Sequence, residues 1–223
     1  MGRRRGVPDG LETILVVDFG AQYAKLIARR VREAHVYSEV VPFDMPVSEM
    51  LARGPRGVIL SGGPRSVHLD GAPRVDPELF AAGVPVLGIC YGAQLLAHEL
   101  GGEVRRAGSG EYGRTRLSVT GSSPLFARLA AEEDVWMSHG DAVASAPPGF
   151  SVTALSAGGL VAGLEDRSRG LFGVQFHPEV VHTPRGMEVL KAFLYEICGC
   201  RPAWTRVSIV EGALVSIRSA VGS

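Results

Sequence analysis

Cys90 stands at the end of an apolar run, in the stretch "VLGICYGAQLL" (86–96), with Gly88 two residues before it and Gly92 two residues after. That spacing is the one a strand–nucleophile–helix elbow requires, with sulfur in place of the serine oxygen. Small residues are needed on both sides because the chain reverses sharply there. At a helix N terminus the free N–H groups and the macrodipole favour a thiolate. The N–H of the following residue, Tyr91, is placed to hold a tetrahedral oxyanion. The alternative is plain: a cysteine at a strand end also serves as a small buried filler.

A thiol nucleophile needs a base, and the base needs a group that orients it. Of the six histidines, His177 has the fitting context. "FGVQFHPE" brings an apolar strand to its end and then supplies His177, Pro178 and Glu179. In extended chain, residues two apart point the same way, so His177 and Glu179 project together. Pro178 lacks a backbone donor and stiffens the pair. His98 falls in the helix after the elbow, and His35 and His68 fall in loops with no partner nearby in sequence. "LSGGP" (60–64) is either a tight turn or a loop whose backbone N–H groups approach a ligand; it has neither dinucleotide-fingerprint nor P-loop spacing. His139, Asp141, His177, Glu179 and His182 match no familiar zinc spacing, so no metal site is assigned.

The elements that must position these residues follow from the periodicity. Residues 13–20, 36–43, 56–64 and 84–90 read as short buried strands. Residues 21–34, 47–54, 76–83 and the stretch from Gly92 read as helices between them. This alternation predicts an α/β fold with a mostly parallel open central sheet flanked by helices. Beyond residue 102 the rhythm changes to mostly short strands. Some are expected to join the main sheet and others to form a small additional antiparallel β layer. Residues 184–199 read as one amphipathic helix with Met187, Leu190, Phe193 and Leu194 on its packed side. Strand C termini of a parallel sheet share one edge, so Cys90 and the His177 segment are expected to meet there.

The 223 residues are 46% hydrophobic and 21% charged, with no net charge. That is enough to bury a full core, and it leaves no electrostatic footprint for nucleic acid or an acidic membrane. Every long apolar run is interrupted by charge, Gly or Pro, so no membrane span is expected. Three cysteines without framework spacing point to a reducing, cytoplasmic setting. Residues 1–10 read as a flexible basic tail and 11–199 as the folded domain. In 200–223, Thr205 and the spacing of Ile209, Leu214 and Ile217 suggest a linker and the start of a further domain that is truncated or absent.

"GICYGAQ" followed by "FGVQFHPE" resembles the class I, triad-type glutamine amidotransferases over roughly residues 11–199. "ILVVDFGAQYAKLIARRVRE", "ILSGGPRSV", "VWMSHGD" and "GVQFHPEVVHTPRG" are similar to the forms found in the glutaminase domains of the GMP synthase family. The resemblance implies a flavodoxin-like sheet and hydrolysis of L-glutamine to glutamate and ammonia through Cys90, His177 and Glu179. It also implies an oxyanion hole from the backbone N–H groups of Gly63 and Tyr91, and substrate contacts from Gln94, Ser138 and His139. Read alone, Gln94 is equally an ordinary first-turn helix residue. His139, Asp141 and His182 are candidates for the face that meets a synthetase. The implied partner is an ATP-pyrophosphatase domain or subunit that aminates XMP to GMP. ATP and magnesium belong to that partner, because its S-G-G-x-D-S phosphate loop does not occur in this chain, and no cofactor is expected here. A stand-alone γ-glutamyl hydrolase of the same fold is the alternative, and a monomer is the default state.

Overall fold

A computed structural model describes residues 12–205. The expected tail at residues 1–10 lies outside the described residues, as does the helical pattern at Ile209, Leu214 and Ile217. The first half alternates strictly: β1 (Thr13–Asp18), α1 (Tyr23–Glu33), β2 (Tyr37–Pro42), α2 (Val47–Ala52), β3 (Pro55–Leu60), a 3₁₀ turn at Pro77–Ala81, β4 (Val86–Ile89) and α3 (Tyr91–Glu99). Residues 76–83 thus form a tighter turn than the α-helix their pattern suggests. Asp76 caps it by accepting from Glu78 N at 3.0 Å, and Pro77 sets its first turn. The second half comprises β5 (Glu103–Val119), β6 (Glu132–Ser145), β7 (Ser151–Ser156), β8 (Val161–Asp166), β9 (Leu171–Val174) and α4 (Gly186–Lys191).

The strands form one sheet in the order β2-β1-β3-β4-β9-β8-β6-β5-β7. The first five are mutually parallel and β8 turns the direction. Alternate side chains on the parallel strands go to opposite faces, and each face finds helices to cover it. Ile14, Val16, Ile59, Leu87 and Ile89 pack with Ile27 and Val31 of α1 and Leu190 of α4. Leu15, Val17, Val58, Leu60 and Val86 pack with Met50 of α2 and Leu95 and Leu96 of α3. Both clusters are buried, so β4 is fixed from both sides immediately before Cys90.

The antiparallel layer grows out of the sheet. β5 pairs with β6 and β7, and β8 pairs with both β6 and β7, so these four strands close on one another. β5 and β6 run for 17 and 14 residues, against the short strands expected beyond residue 102. They stay continuous because a bulge between Arg106 and Glu111 takes up the turn-like glycines without ending the ladder. The last helix also differs from expectation. α4 gives way at Ala192–Ile197 to a π-helical turn, where Cys198 N reaches back to Phe193 O at 2.9 Å. The widened turn still buries Leu190, Phe193 and Leu194, with Met187 partly covered. Beyond it, Trp204 N donates to His35 O at 2.7 Å, tying the segment after the domain back onto α1's end.

Candidate active site

Cys90 caps α3 with φ 53° and ψ −105°, a region that non-glycine residues rarely occupy and that costs on the order of 1–3 kcal/mol. The surroundings leave it no other course. A Cβ on Gly88 would lie 2.6 Å from the carbonyl of Gly92, and one on Gly92 would lie 2.3 Å from Leu60 O. Strand and helix therefore touch backbone to backbone, and Cys90 is the hinge between them. Its N–H donates to Val174 O at 2.8 Å, while its carbonyl accepts from Gln94 N at 3.0 Å. The side chain is 6% exposed, with the sulfur 3.8 Å from Ser138 O.

His177 is held at both main-chain groups. Its N–H donates to Trp136 O at 3.0 Å, and its carbonyl accepts from Thr183 Oγ1 at 2.7 Å. Thr183 Oγ1 in turn accepts from Trp136 N at 3.0 Å. The ring lies against Tyr23 with centroids 4.6 Å apart, and Nδ1 meets Glu179 Oε1 at 2.8 Å. Since the carboxylate can only accept, Nδ1 carries the hydrogen and Nε2 is left to act. Nε2 is buried without a conventional hydrogen-bond partner. Glu179 is fully buried, and its carbonyl accepts from Arg30 Nε at 2.8 Å.

The route to this pairing differs from the extended chain expected for 172–179. β9 ends at Val174, and His177–Glu179 lie in a turn. The turn, rather than strand alternation, closes the pair. Its tightness shows at Gly186, where a Cβ would fall 2.0 Å from Pro178 O.

Burial works to lower the pKa of His177, but the nearby Cys90 sulfur and the Glu179 carboxylate outweigh it and hold the imidazole well above its ordinary value. His139 shows the opposite balance: burial pushes it down despite Glu111 Oε2, 3.2 Å from its Nε2. Tyr91 is raised to about 12 by burial, and its hydroxyl donates to Pro73 O at 2.6 Å. Burial also raises both remaining thiols, Cys198 strongly and Cys200 to about 11.

A cleft of about 760 Å³ opens over Cys90 and is lined by Tyr23, Gly63, Tyr91, Gln94, Ser138 and Asp141 among others. Gly63 lies on the Tyr91 ring, where a Cβ would come within 2.8 Å of Cγ. As the first residue of α3, Tyr91 has an N–H with no intrahelical acceptor. Gln94 borders the cleft, yet its Nε2 is already engaged by Asp141 O at 2.6 Å and Gln175 Oε1 at 3.3 Å. His139 also borders the cleft. His182 is absent from this lining and stacks on Trp136, with centroids 4.5 Å apart. Tyr23, His68 and Gln175 are among the residues that come to the site without having been assigned to it from the sequence. His68 reaches the cleft lining and bonds Val104 O at 2.8 Å. Gln175 places Nε2 at 3.7 Å from Cys90 Sγ; its only signal is its position two residues before His177.

Residues 15–197 match the family model for glutamine amidotransferase class-I. The chain belongs to the class-I glutamine amidotransferase family. It is 61% identical over 218 residues to a glutamine-hydrolysing GMP synthase from Parafrankia sp. (strain EAN1pec), covering 98% of this chain and 41% of that protein. The corresponding enzyme from Thermobifida fusca is 60% identical, with 98% and 42% covered. The chain thus spans about 41% of the length of the curated relatives it matches and corresponds to their glutaminase part. A candidate GMP synthase subunit from Thermoplasma acidophilum has a similar solved structure (TM-score 0.74, 34% identity, 85% of this chain and 94% of that one covered). A Thermotoga maritima glutamine amidotransferase, 20% identical, shares the fold at a TM-score of 0.62, with 95% and 99% covered. No described helix is long and apolar enough to cross a membrane.

Proposed function

We propose that this chain hydrolyses the side-chain amide of L-glutamine and delivers the ammonia to a synthetase domain or subunit that aminates XMP to GMP. The observation that carries the reading is Cys90 in a positive-φ elbow lining the cleft, with a buried His177 whose Nδ1 is bonded to buried Glu179 and whose Nε2 is left without a hydrogen-bond partner. His177 takes the thiol proton, and Cys90 Sγ attacks the amide carbon, moving the C=O electron pair onto oxygen. The N–H groups of Gly63 and Tyr91 receive that oxyanion. Collapse breaks the C–N bond as Nε2–H protonates the leaving nitrogen, giving ammonia and a glutamyl thioester. Water then adds, with His177 accepting its proton, and glutamate leaves as the C–S bond breaks and the sulfur regains its electron pair. Glu179 keeps the hydrogen on Nδ1 and offsets the imidazolium charge.

Gln94, Ser138 and His139 border the place where the amino acid would sit. Asp141 belongs to the same wall, and the exposed His182 against Trp136 of β6 is our candidate for the face that meets the partner. ATP and magnesium would act on the synthetase part. The three free cysteines support a cytoplasmic setting. The test is release of glutamate and ammonia from glutamine, with and without a nucleotide-loaded synthetase partner, for the wild type and Cys90→Ala. We expect low basal activity, stimulation by the partner, and loss of at least about 10³-fold in the variant. Turnover of γ-glutamyl peptides but not glutamine would replace this reading with that of a γ-glutamyl hydrolase.

A further inference from the structure

The Cys90 sulfur has a polar neighbour outside the Cys–His–Glu set. Gln175 is only 1% exposed, and its Nε2 donates to Cys90 Sγ across 3.7 Å. Its place follows from strand register. β4 and β9 pair in parallel with Ile89 opposite Val174, and Cys90 N bonds Val174 O, so the next residue of each strand comes to rest beside the other.

The direction in which this amide faces is fixed by its neighbours. Gln94 Nε2 carries two hydrogens and has two acceptors, Asp141 O at 2.6 Å and Gln175 Oε1 at 3.3 Å. With Oε1 turned to Gln94, Gln175 presents only hydrogens to the sulfur. Flipping the amide would set N–H against N–H at one end and oxygen against sulfur at the other. A buried carboxamide is also a poor core filler beside Val174 and Phe176, because its desolvation is offset only by hydrogen bonds. Leu or Met would fill the same volume without that cost.

We propose that Gln175 is a catalytic residue of this site, whose Nε2–H stabilises the Cys90 thiolate and aims the sulfur into the cleft, with Gln94 and the Asp141 carbonyl holding it in that orientation. The proposal rests on Cys90 being the nucleophile of the function given above. Its hydrogen bond is strongest when sulfur is anionic. It therefore favours the thiolate before attack, weakens as the S–C bond forms, and strengthens again when that bond breaks and the electron pair returns to sulfur.

The test is the second-order rate of Cys90 alkylation by iodoacetamide at neutral pH, read by peptide mapping on the full chain without glutamine. Gln175→Met keeps the length and volume and removes the donor; alkylation should slow about tenfold, the lower end for a hydrogen bond to a charged group. Gln175→Glu still accepts from Gln94 but sets a carboxylate against the sulfur, and should slow it about a hundredfold. Thermal melting of the Met variant should match or exceed that of the wild type. Wild-type alkylation rates in both variants would overturn the proposal. So would equal slowing in both with a parallel fall in melting temperature, since that is a packing effect. Alkylation needs no turnover, so a Gln175-dependent rate in a chain that releases no glutamate even with a nucleotide-loaded synthetase partner would sink the glutaminase reading and leave only the Gln175–thiolate bond standing.

Discussion

Gly186, the first residue of α4, lies under the carbonyl of Pro178, between the two residues whose side chains pair. In Gly186→Ala the new methyl would sit 2.0 Å from Pro178 O, 2.7 Å from its C and 2.8 Å from its Cα. Such contacts are essentially never found below 3.0 Å, so the two backbones must part by about 1 Å, the scale at which misplacement of a catalytic group costs on the order of 10²-fold. Neither side can yield freely. His177 is tied to Trp136 O and Thr183 Oγ1, and Glu179 O to Arg30. On the other side, α4 is anchored by buried Val189 and Leu190.

The stability effect is smaller than the catalytic one. Overpacking costs about 1–3 kcal/mol, and alanine returns up to about 1 kcal/mol of helix propensity. A net loss of about 1–2 kcal/mol lowers the melting temperature by roughly 2–8 °C in a domain of this size. At 25 °C the variant stays folded, and its glutaminase kcat/KM should fall about a hundredfold. Steady-state kinetics with a thermal melt on the same preparation decide the matter. Wild-type kcat/KM in a folded Gly186→Ala, or a loss no larger than its unfolded fraction, would refute the claim that this contact sets the His177–Glu179 geometry.

Arg30→Met removes the donor to Glu179 O and should lower kcat/KM about tenfold, the scale of one charge-assisted hydrogen bond; an unchanged rate would mean the turn holds itself. Thr183→Val leaves Trp136 N and His177 O without their shared hydroxyl, and urea unfolding should show a loss of about 1–3 kcal/mol. In Cys90→Ala, one of the two groups that hold the His177 pKa up is gone, so burial counts for more and the imidazole should titrate at lower pH, as NMR of its ring protons would record. The sign for stability follows. His177 has a folded pKa above its unfolded value of about 6.5, so the stability carried by its protonated form is complete below that pH and is lost as pH climbs towards the raised folded value. Wild type should therefore lose more stability than Cys90→Ala between pH 6 and pH 10.

The parallel half of the fold was legible because β1 and β4 are almost wholly buried short runs and α1 buries one face, so pattern and length separate them. β1, α1, β3 and β4 fall where "TILVVDFG", "AQYAKLIARRVREA", "RGVILSGGP" and "VPVLGIC" place them, and α3 follows Cys90 as the stretch from Gly92 suggests. The lengths of β5 and β6 were hidden because glycine marks a bulge and a turn with the same letter. At Gly108 and Gly110 the backbone takes positive φ, yet the ladder resumes at Glu111 opposite His139. The final helix conceals its geometry for a related reason: hydrophobic spacing cannot distinguish an α-turn from a π-turn when both bury Phe193 and Leu194. In the site, the elbow glycines announced Cys90, whereas Gln175 had no signal of its own beyond its nearness to His177. Only the register of β4 against β9 sets it beside the sulfur, and register is a property of two strands together.

That register also explains why the antiparallel strands are part of the site rather than an appendage to it. β4 and β9 are neighbours in the sheet but far apart in sequence, and the chain between them builds α3 and β5–β8. β9 is locked to this inserted lobe by its pairing with β8, by Gln175 N on Ala162 O and by His177 N on Trp136 O. β6 also supplies the Ser138 carbonyl beside the sulfur and the Asp141 carbonyl that holds Gln94. A displacement of β6 therefore cannot leave Cys90 and His177 undisturbed, because the same strand bonds the segment bearing His177 and borders the cleft over Cys90. The elbow fixes where the sulfur is; β6 and the turn it braces fix whether His177 meets it.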